Sequence, residues 1–233
     1  MKFALDKAHR DFFKKEGWIE FTACIPKNKI VQLSQSIQSL DQSDKTRSHP
    51  SPNELFFKGR DLWRSHPSIR KFVMQPYLAE IAAELVEKRP LRLGYDQLLP
   101  VVKPSNFNFD AYTNWLDREA SLESVSCLRE IACGIILNLN ASELANTNIA
   151  SSADIDFFSK ALGNATFVHP KLPIKWRNLY KQVAGSSFYL IVYTGYSAQY
   201  YLQPDDPHTY ALKRIGYGVN DTLNDRLNPI VLR

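Results

Sequence analysis

Metal binding, nucleophilic catalysis and phosphoryl transfer each need particular side chains at particular spacings, and this chain of 233 residues offers few of them. A metal site draws on His, Cys, Asp and Glu donors held close together. The five histidines are His9, His49, His66, His169 and His208, and each stands beside a breaker, a charge or a polar residue. His169 and His208 alone lie in the strand-rich half; each adjoins a proline and reads as a loop residue. No His-x-Asp or His-x-Glu pair occurs in that half. Nothing in the order of residues places either histidine beside Cys127 or Cys133, as a Cys–His nucleophilic pair requires. The third cysteine, Cys24, forms no Cys-x-x-Cys spacing with the others, which fits a reduced compartment. There is no Gly-x-Ser-x-Gly elbow, Walker loop, His-Glu-x-x-His or dinucleotide glycine fingerprint. Zinc-finger spacing and a helix-turn-helix with a basic recognition face are also absent.

The stretch with the most pattern is near the end, Ile215-Gly-Tyr-Gly-Val-Asn-Asp-Thr-Leu-Asn-Asp-Arg226. It resembles the closing motif of the phytanoyl-CoA dioxygenase-like branch of Fe(II)/2-oxoglutarate oxygenases. That motif runs roughly His-Gly-Ser-Gly-x-Asn-x-Ser, with an Arg further on. Gly216, Gly218, Asn220, Thr222 and Arg226 fall in matching places. In the family the His binds iron and the Arg grips the far carboxylate of 2-oxoglutarate. Here Ile215 takes the His position, and its side chain has no lone pair for a metal. Setting Trp115 on the family's Trp puts Leu116 at the second His and Arg118 at the Asp. Lys103, in Val-Val-Lys-Pro, matches a lysine near the cosubstrate carboxylate. Residues 11–40 add a weaker likeness: Phe12-Phe13, then Gly17-Trp18, an extended run from Ile19 to Cys24, and a helix opened by Pro26.

The resemblance implies an α+β chain with a mainly β core. Its expected architecture is a double-stranded β-helix (jelly-roll, cupin-like) barrel behind a helical N-terminal third, in one domain of residues 1–233. It implies Fe(II) and 2-oxoglutarate for working members; with Leu116, Arg118 and Ile215 at the ligand positions, no cofactor is expected for this chain. The expected function is that of a non-catalytic relative with a pocket for a small anion or a protein partner. Arg226 is expected inside the barrel with Arg118 and Lys103, and Tyr217, Asn220 and Thr222 beside them. An active oxygenase with displaced ligands is one alternative, drawing on Asp117, Glu119, Glu123 and Asp221. A basic nucleic-acid-associated regulator is another, resting on the net charge of +5 (29 basic minus 24 acidic residues).

The remaining pattern supplies the elements that must position these residues. An apolar share of 44% supports a core, and 12% aromatic residues suit strands. Ile30, Leu33, Ile37 and Leu40 recur at helical spacing. Residues 41–53 contain no apolar side chain and read as a solvent loop. His66-Pro67 and Gln75-Pro76 mark helix starts, the second leading into an alanine-rich helix to Val86. Leu91–Leu99 alternates at period two and predicts a strand with one buried face. Ile131–Leu139 and Phe188–Tyr193 predict further strands, with Gly195–Tyr201 as a hairpin partner of the latter. Tyr210–Ile215 and Pro229–Leu232 predict short closing strands around a turn at Gln203–His208. No window is apolar enough to span a membrane and no signal peptide is visible, so a cytoplasmic location is expected.

Overall fold

The computed structural model describes residues 5–41, 50–101, 110–140, 161–178 and 186–233. Six helices precede the main sheet strands, interrupted by one early strand. They are α1 (Lys7–Glu16), α2 (Lys27–Asp41), α3 (Pro52–Lys58), α4 (Leu62–Ser65), α5 (Pro67–Val73) and α6 (Pro76–Val86). Prolines open α3, α5 and α6, where a missing N–H costs nothing. The expected loop is shorter than its composition implies, because Ser51 and Glu54 form a capping box that starts α3 at Pro52. Among the described residues two short helices follow later, α7 (Ala111–Leu116) and α8 (Ala211–Arg214).

The strands are β1 (Trp18–Phe21), β2 (Leu91–Leu99), β3 (Glu119–Ala120), β4 (Ile131–Asn138), β5 (Ala165–Val168), β6 (Ile174–Lys175), β7 (Phe188–Gly195) and β8 (Ile230–Leu232). Six form one curled antiparallel sheet in the order β1-β5-β4-β7-β2-β8, and β3 pairs with β6 separately. The helices pack on one face, joining Leu91, Leu93, Cys133, Ile135, Leu137, Ile191 and Tyr193 to α1, α2, α4, α5 and α6. The opposite, inner face carries a second apolar cluster from α3, α7, the smaller strands and the C-terminal loops.

Three expectations change. The strand Leu91–Leu99 is buried on both faces, not one, because β2 lies inside the sheet between the two clusters. Its polar residues Arg92, Asp96 and Gln97 are buried with the rest. Gly195–Tyr201 does not fold back on β7: after a turn, Gln199 bridges Thr222 and Tyr200 bridges Leu128. Tyr210–Ile215 is not a strand, since Ala-Leu-Lys-Arg are good helix formers and make the single turn of α8. No helix among the described residues is long and apolar enough to cross a membrane.

Candidate functional site

The inner face is filled by side chains. An Asp110–Thr113 capping box starts α7, which then directs Tyr112, Trp115 and Leu116 into the cluster. Trp115 packs on Trp176 with centroids 4.6 Å apart, and Phe56 stacks on Tyr112 at 4.5 Å. The Trp176 indole N–H donates to the Ala120 carbonyl at 3.0 Å, so this large ring is buried with its polar atom satisfied. Leu116 is fully buried, and Ile215 packs against the same cluster from the end of α8. The positions matched to two metal-binding histidines are therefore parts of a hydrophobic core. Leu116, fully buried, stabilises the fold by roughly 1.5–3 kcal/mol, and the half-buried Ile215 contributes less.

One ion pair is set into this face. Arg60, between α3 and α4, bridges Gln97 of β2 and lays its guanidinium 3.3 Å from the Tyr95 ring centroid. Its Nη2 lies 3.6 Å from Asp206 Oδ2, with both side chains almost wholly buried. Asp206 is fixed by its turn: Oδ2 accepts from the Cys127 N–H at 2.7 Å and Oδ1 from the His208 N–H at 2.8 Å. Burial works against the Arg60 charge, but the Asp206 carboxylate, with Tyr95, Cys127 and Asp61 acting in the same direction, more than offsets it, and the guanidinium is held firmly protonated. His208 stands against Phe56 and Phe57 at 5.1 and 5.3 Å, and its Nε2 has no hydrogen-bond partner. Burial, then the charges of Arg60 and Arg214, push its pKa down to about 2. His208 is a loop residue but a buried one, and the fold does bring it beside Cys127. The thiol approaches the His208 carbonyl at 4.0 Å, not the ring, and burial pushes the thiol pKa up. A Cys–His nucleophile needs a ring nitrogen at the sulfur and a stabilised thiolate, and this pair has neither.

The helix-side face of β2 holds a second polar group. Asp96 Oδ2 accepts from the Trp63 N–H at 2.9 Å and from the Tyr189 hydroxyl, while Oδ1 has no partner. Burial, then the nearby Asp61 charge, raise the Asp96 pKa to about 7.

The closing stretch is organised by Asn228, which sequence reasoning did not single out, and by Tyr217, which it expected beside the basic residues. Asn228, fully buried, donates to the carbonyls of Leu93 and Gly94 at 2.9 and 2.7 Å. Its Oδ1 accepts from the Tyr217 hydroxyl at 3.1 Å and from Arg64 at 3.1 Å. Tyr217 is buried and its hydroxyl also accepts from the Asn224 N–H at 3.0 Å. Asn220 (φ 71°) and Thr222 are exposed and serve the turn that pairs this stretch with residues 199–200.

The expected basic patch is not assembled. Arg226 is exposed rather than inward, because the buried positions of its turn belong to Leu223 and Asn228. Arg118 is exposed too: the chain leaves α7 at Asp117, so Arg118 points outward and pairs with Asp205 on the surface. Lys103 lies outside the described residues. Asp117 is taken up by Arg177 at 3.0 Å and Asp221 by the Gly218 N–H at 2.6 Å, while Glu119 is exposed. The internal arginines are instead Arg60, Arg64 and Arg92, all contributed by the first hundred residues.

No family model matches the sequence, and no curated protein matches it significantly. Solved structures do resemble it. The non-heme alpha-ketoglutarate-dependent carbocyclase SnoK from nogalamycin biosynthesis superposes with a TM-score of 0.65 at 14% identity, covering 97% of this chain and 96% of SnoK. This chain shares their fold. The epimerase SnoN from the same biosynthesis, also non-heme and alpha-ketoglutarate-dependent, gives 0.64 at 13% identity, covering 97% of this chain and 98% of SnoN. CytC3 with Fe(II) and alpha-ketoglutarate gives 0.56 at 12% identity, covering 97% and 88%.

The described residues do not fit an iron centre. Among the described residues no three His, Cys, Asp or Glu side chains are grouped to hold a metal ion. The nearest approach is Asp206, His208 and Cys127, but both Asp206 oxygens already accept backbone N–H groups. The Arg60 guanidinium beside them would repel a dication. His9 and Asp11 have the His-x-Asp spacing but lie on α1, where His9 completes a capping box with Asp6.

Proposed function

We propose that this chain is a non-catalytic jelly-roll of the oxygenase fold, a double-stranded β-helix whose interior serves as core, and that it works by binding. One observation carries the reading: Leu116 and Ile215 meet Trp115, Trp176 and Tyr217 in a single apolar cluster on the inner face. SnoK and SnoN depend on alpha-ketoglutarate, and CytC3 holds it with Fe(II). Such chemistry needs nitrogen or carboxylate donors around an open volume. Here two of the three matched positions, Leu116 and Ile215, are aliphatic, and the third, Arg118, is an exposed guanidinium. The cleft between Arg60, Tyr95, Cys127 and Leu128 has no room for a water molecule. Arg60 supplies an internal positive charge, and Asp206 satisfies it from within the chain.

Elemental analysis of the purified protein and oxygen consumption with 2-oxoglutarate and added Fe(II) test this. No stoichiometric iron and no 2-oxoglutarate-dependent consumption are expected. Turnover would replace this reading with that of an active oxygenase with displaced ligands.

A further inference from the structure

Arg92 is 1% exposed, yet its charge is answered by a carboxylate that lies mostly in solvent. Nη2 of Arg92 is 2.8 Å from Asp225 Oδ1, and the Asp225 side chain is 60% exposed. Nη1 donates to the Asn228 carbonyl, and Nε is buried without a partner. Directly across the ladder, Thr194 of β7 pairs with Arg92 of β2, and its hydroxyl is also buried and unpartnered. Both residues point to the inner side of the sheet, since Leu91, Leu93 and Tyr193 between them belong to the helix-side core. The exposed ring of Tyr196 lies 5.4 Å from the guanidinium. Arg64 adds a second guanidinium on the other side of Asn228, with Asp61 at 3.4 Å as its own counter-charge.

A buried guanidinium with a free N–H, next to a free hydroxyl, is a receptor for oxygen anions, and Arg is suited to planar, bidentate recognition of them. The two partners of this ion pair have unequal needs. Arg92 loses the carboxylate that answers its charge if Asp225 leaves, whereas Asp225 returns to water at little cost. We propose that Arg92, Thr194 and Tyr196 form a binding site for one oxyanion group, a carboxylate or a phosphate, in which Asp225 is the resident occupant that a ligand displaces. The site gives the binding role proposed above a ligand class and rests on that role; iron-dependent turnover would overturn the earlier reading without altering the anion titration described next. An attached carboxylate competes at an effective concentration in the millimolar range. The native chain should therefore bind free anions weakly.

The test compares the full-length chain with Asp225→Asn, titrated with inorganic phosphate and with acetate. Binding is followed by calorimetry and by the side-chain N–H resonance of Arg92 Nε. Asp225→Asn should bind at least one of the two anions about tenfold more tightly than the parent, and the tighter anion identifies a phosphoryl or a carboxylate source. Adding Arg92→Gln should abolish that binding, and Arg226→Gln, an exposed arginine one residue on, should leave it unchanged. If Arg92→Gln fails to fold, Thr194→Val in the Asp225→Asn background should weaken binding several-fold. Equal affinity in parent and Asp225→Asn, or a loss on Arg226→Gln as large as on Arg92→Gln, would overturn the proposal. An Asp225→Asn affinity untouched by Thr194→Val would do the same.

Discussion

Tyr95 and Asp96 are neighbours in β2, face opposite sides of the sheet, and are both fully buried among polar partners. On the inner side, Tyr95 supports the Arg60–Asp206 ion pair. On the helix side, Asp96 makes no ion pair among the described residues, and burial raises its pKa to about 7. The difference lies in what reaches each place. Arg60 is delivered to the inner face by the turn after α3, whereas Arg64, which follows the Trp63 that donates to Asp96, is engaged by Asp61, Leu227 and Asn228. A neighbouring cation favours the ionised form of a buried carboxyl; with only a tyrosine and a backbone N–H beside it, burial prevails and the pKa rises.

The largest expected effect breaks the inner pair. Arg60→Met or Asp206→Asn alone leaves an uncompensated buried group and should cost about 3–5 kcal/mol in chemical denaturation. The double variant should be much less destabilised than the two costs added, because it removes both charges together. A double variant as unstable as the sum would mean that the two residues act independently.

The next prediction sets the two faces against each other through pH. The folded His208 pKa of about 2 lies below its ordinary 6.5. Its contribution to stability is therefore present above pH 6.5 and is lost as pH falls toward 2. The folded Asp96 pKa of about 7 lies above its ordinary 3.8. Its contribution is present below 3.8 and is lost as pH rises toward 7. Between these limits the two slopes oppose, each up to about 1.4 kcal/mol per pH unit. Asp96→Asn should unmask the His208 slope, with stability rising with pH relative to the parent. His208→Leu should unmask the opposite slope. Identical pH profiles for parent and Asp96→Asn would remove Asp96 from this balance.

The smallest effect is at the surface. Arg118→Ala breaks the exposed pair with Asp205 and should change stability by less than about 1 kcal/mol, with the small loss fading further in high salt. A larger cost would restore Arg118 to the interior role that its alignment with a metal ligand implied.

How much of this was legible beforehand follows from the kind of signal each residue carries. The proline-opened helices and the strands β2, β4 and β7 are visible because periodicity and breakers are local. The core placement of Leu116 and Ile215 follows from the same apolar character that rules them out as ligands. The polar sites were hidden by the alternation rule itself. Arg92 and Asp96 occupy the positions that, in a strand with one solvated face, point to water; only the sheet order shows both faces covered. Asp206 and His208 sit among prolines in a turn, and nothing local distinguishes a turn folded into the core from one on the surface. Arg226 misled for a related reason: spacing preserved its place in the motif, but its direction depends on Asn228 being fastened to β2.

That fastening bears on how this molecule meets copies of itself. Strand β8 runs beside only Leu91 and Arg92, yet the Leu93 N–H reaches the Pro229 carbonyl, and the Gly59–Asp61 turn takes over further along at Asp96 and Leu98. Two segments from distant parts of the chain thus cap most of the hydrogen-bonding rim of β2. Growth of the sheet by strand addition is obstructed on that side. Among the described residues, the opposite rim is β1, four residues long and paired only with β5. Any assembly that extends the sheet would have to begin there, on a strand too short to template much of it.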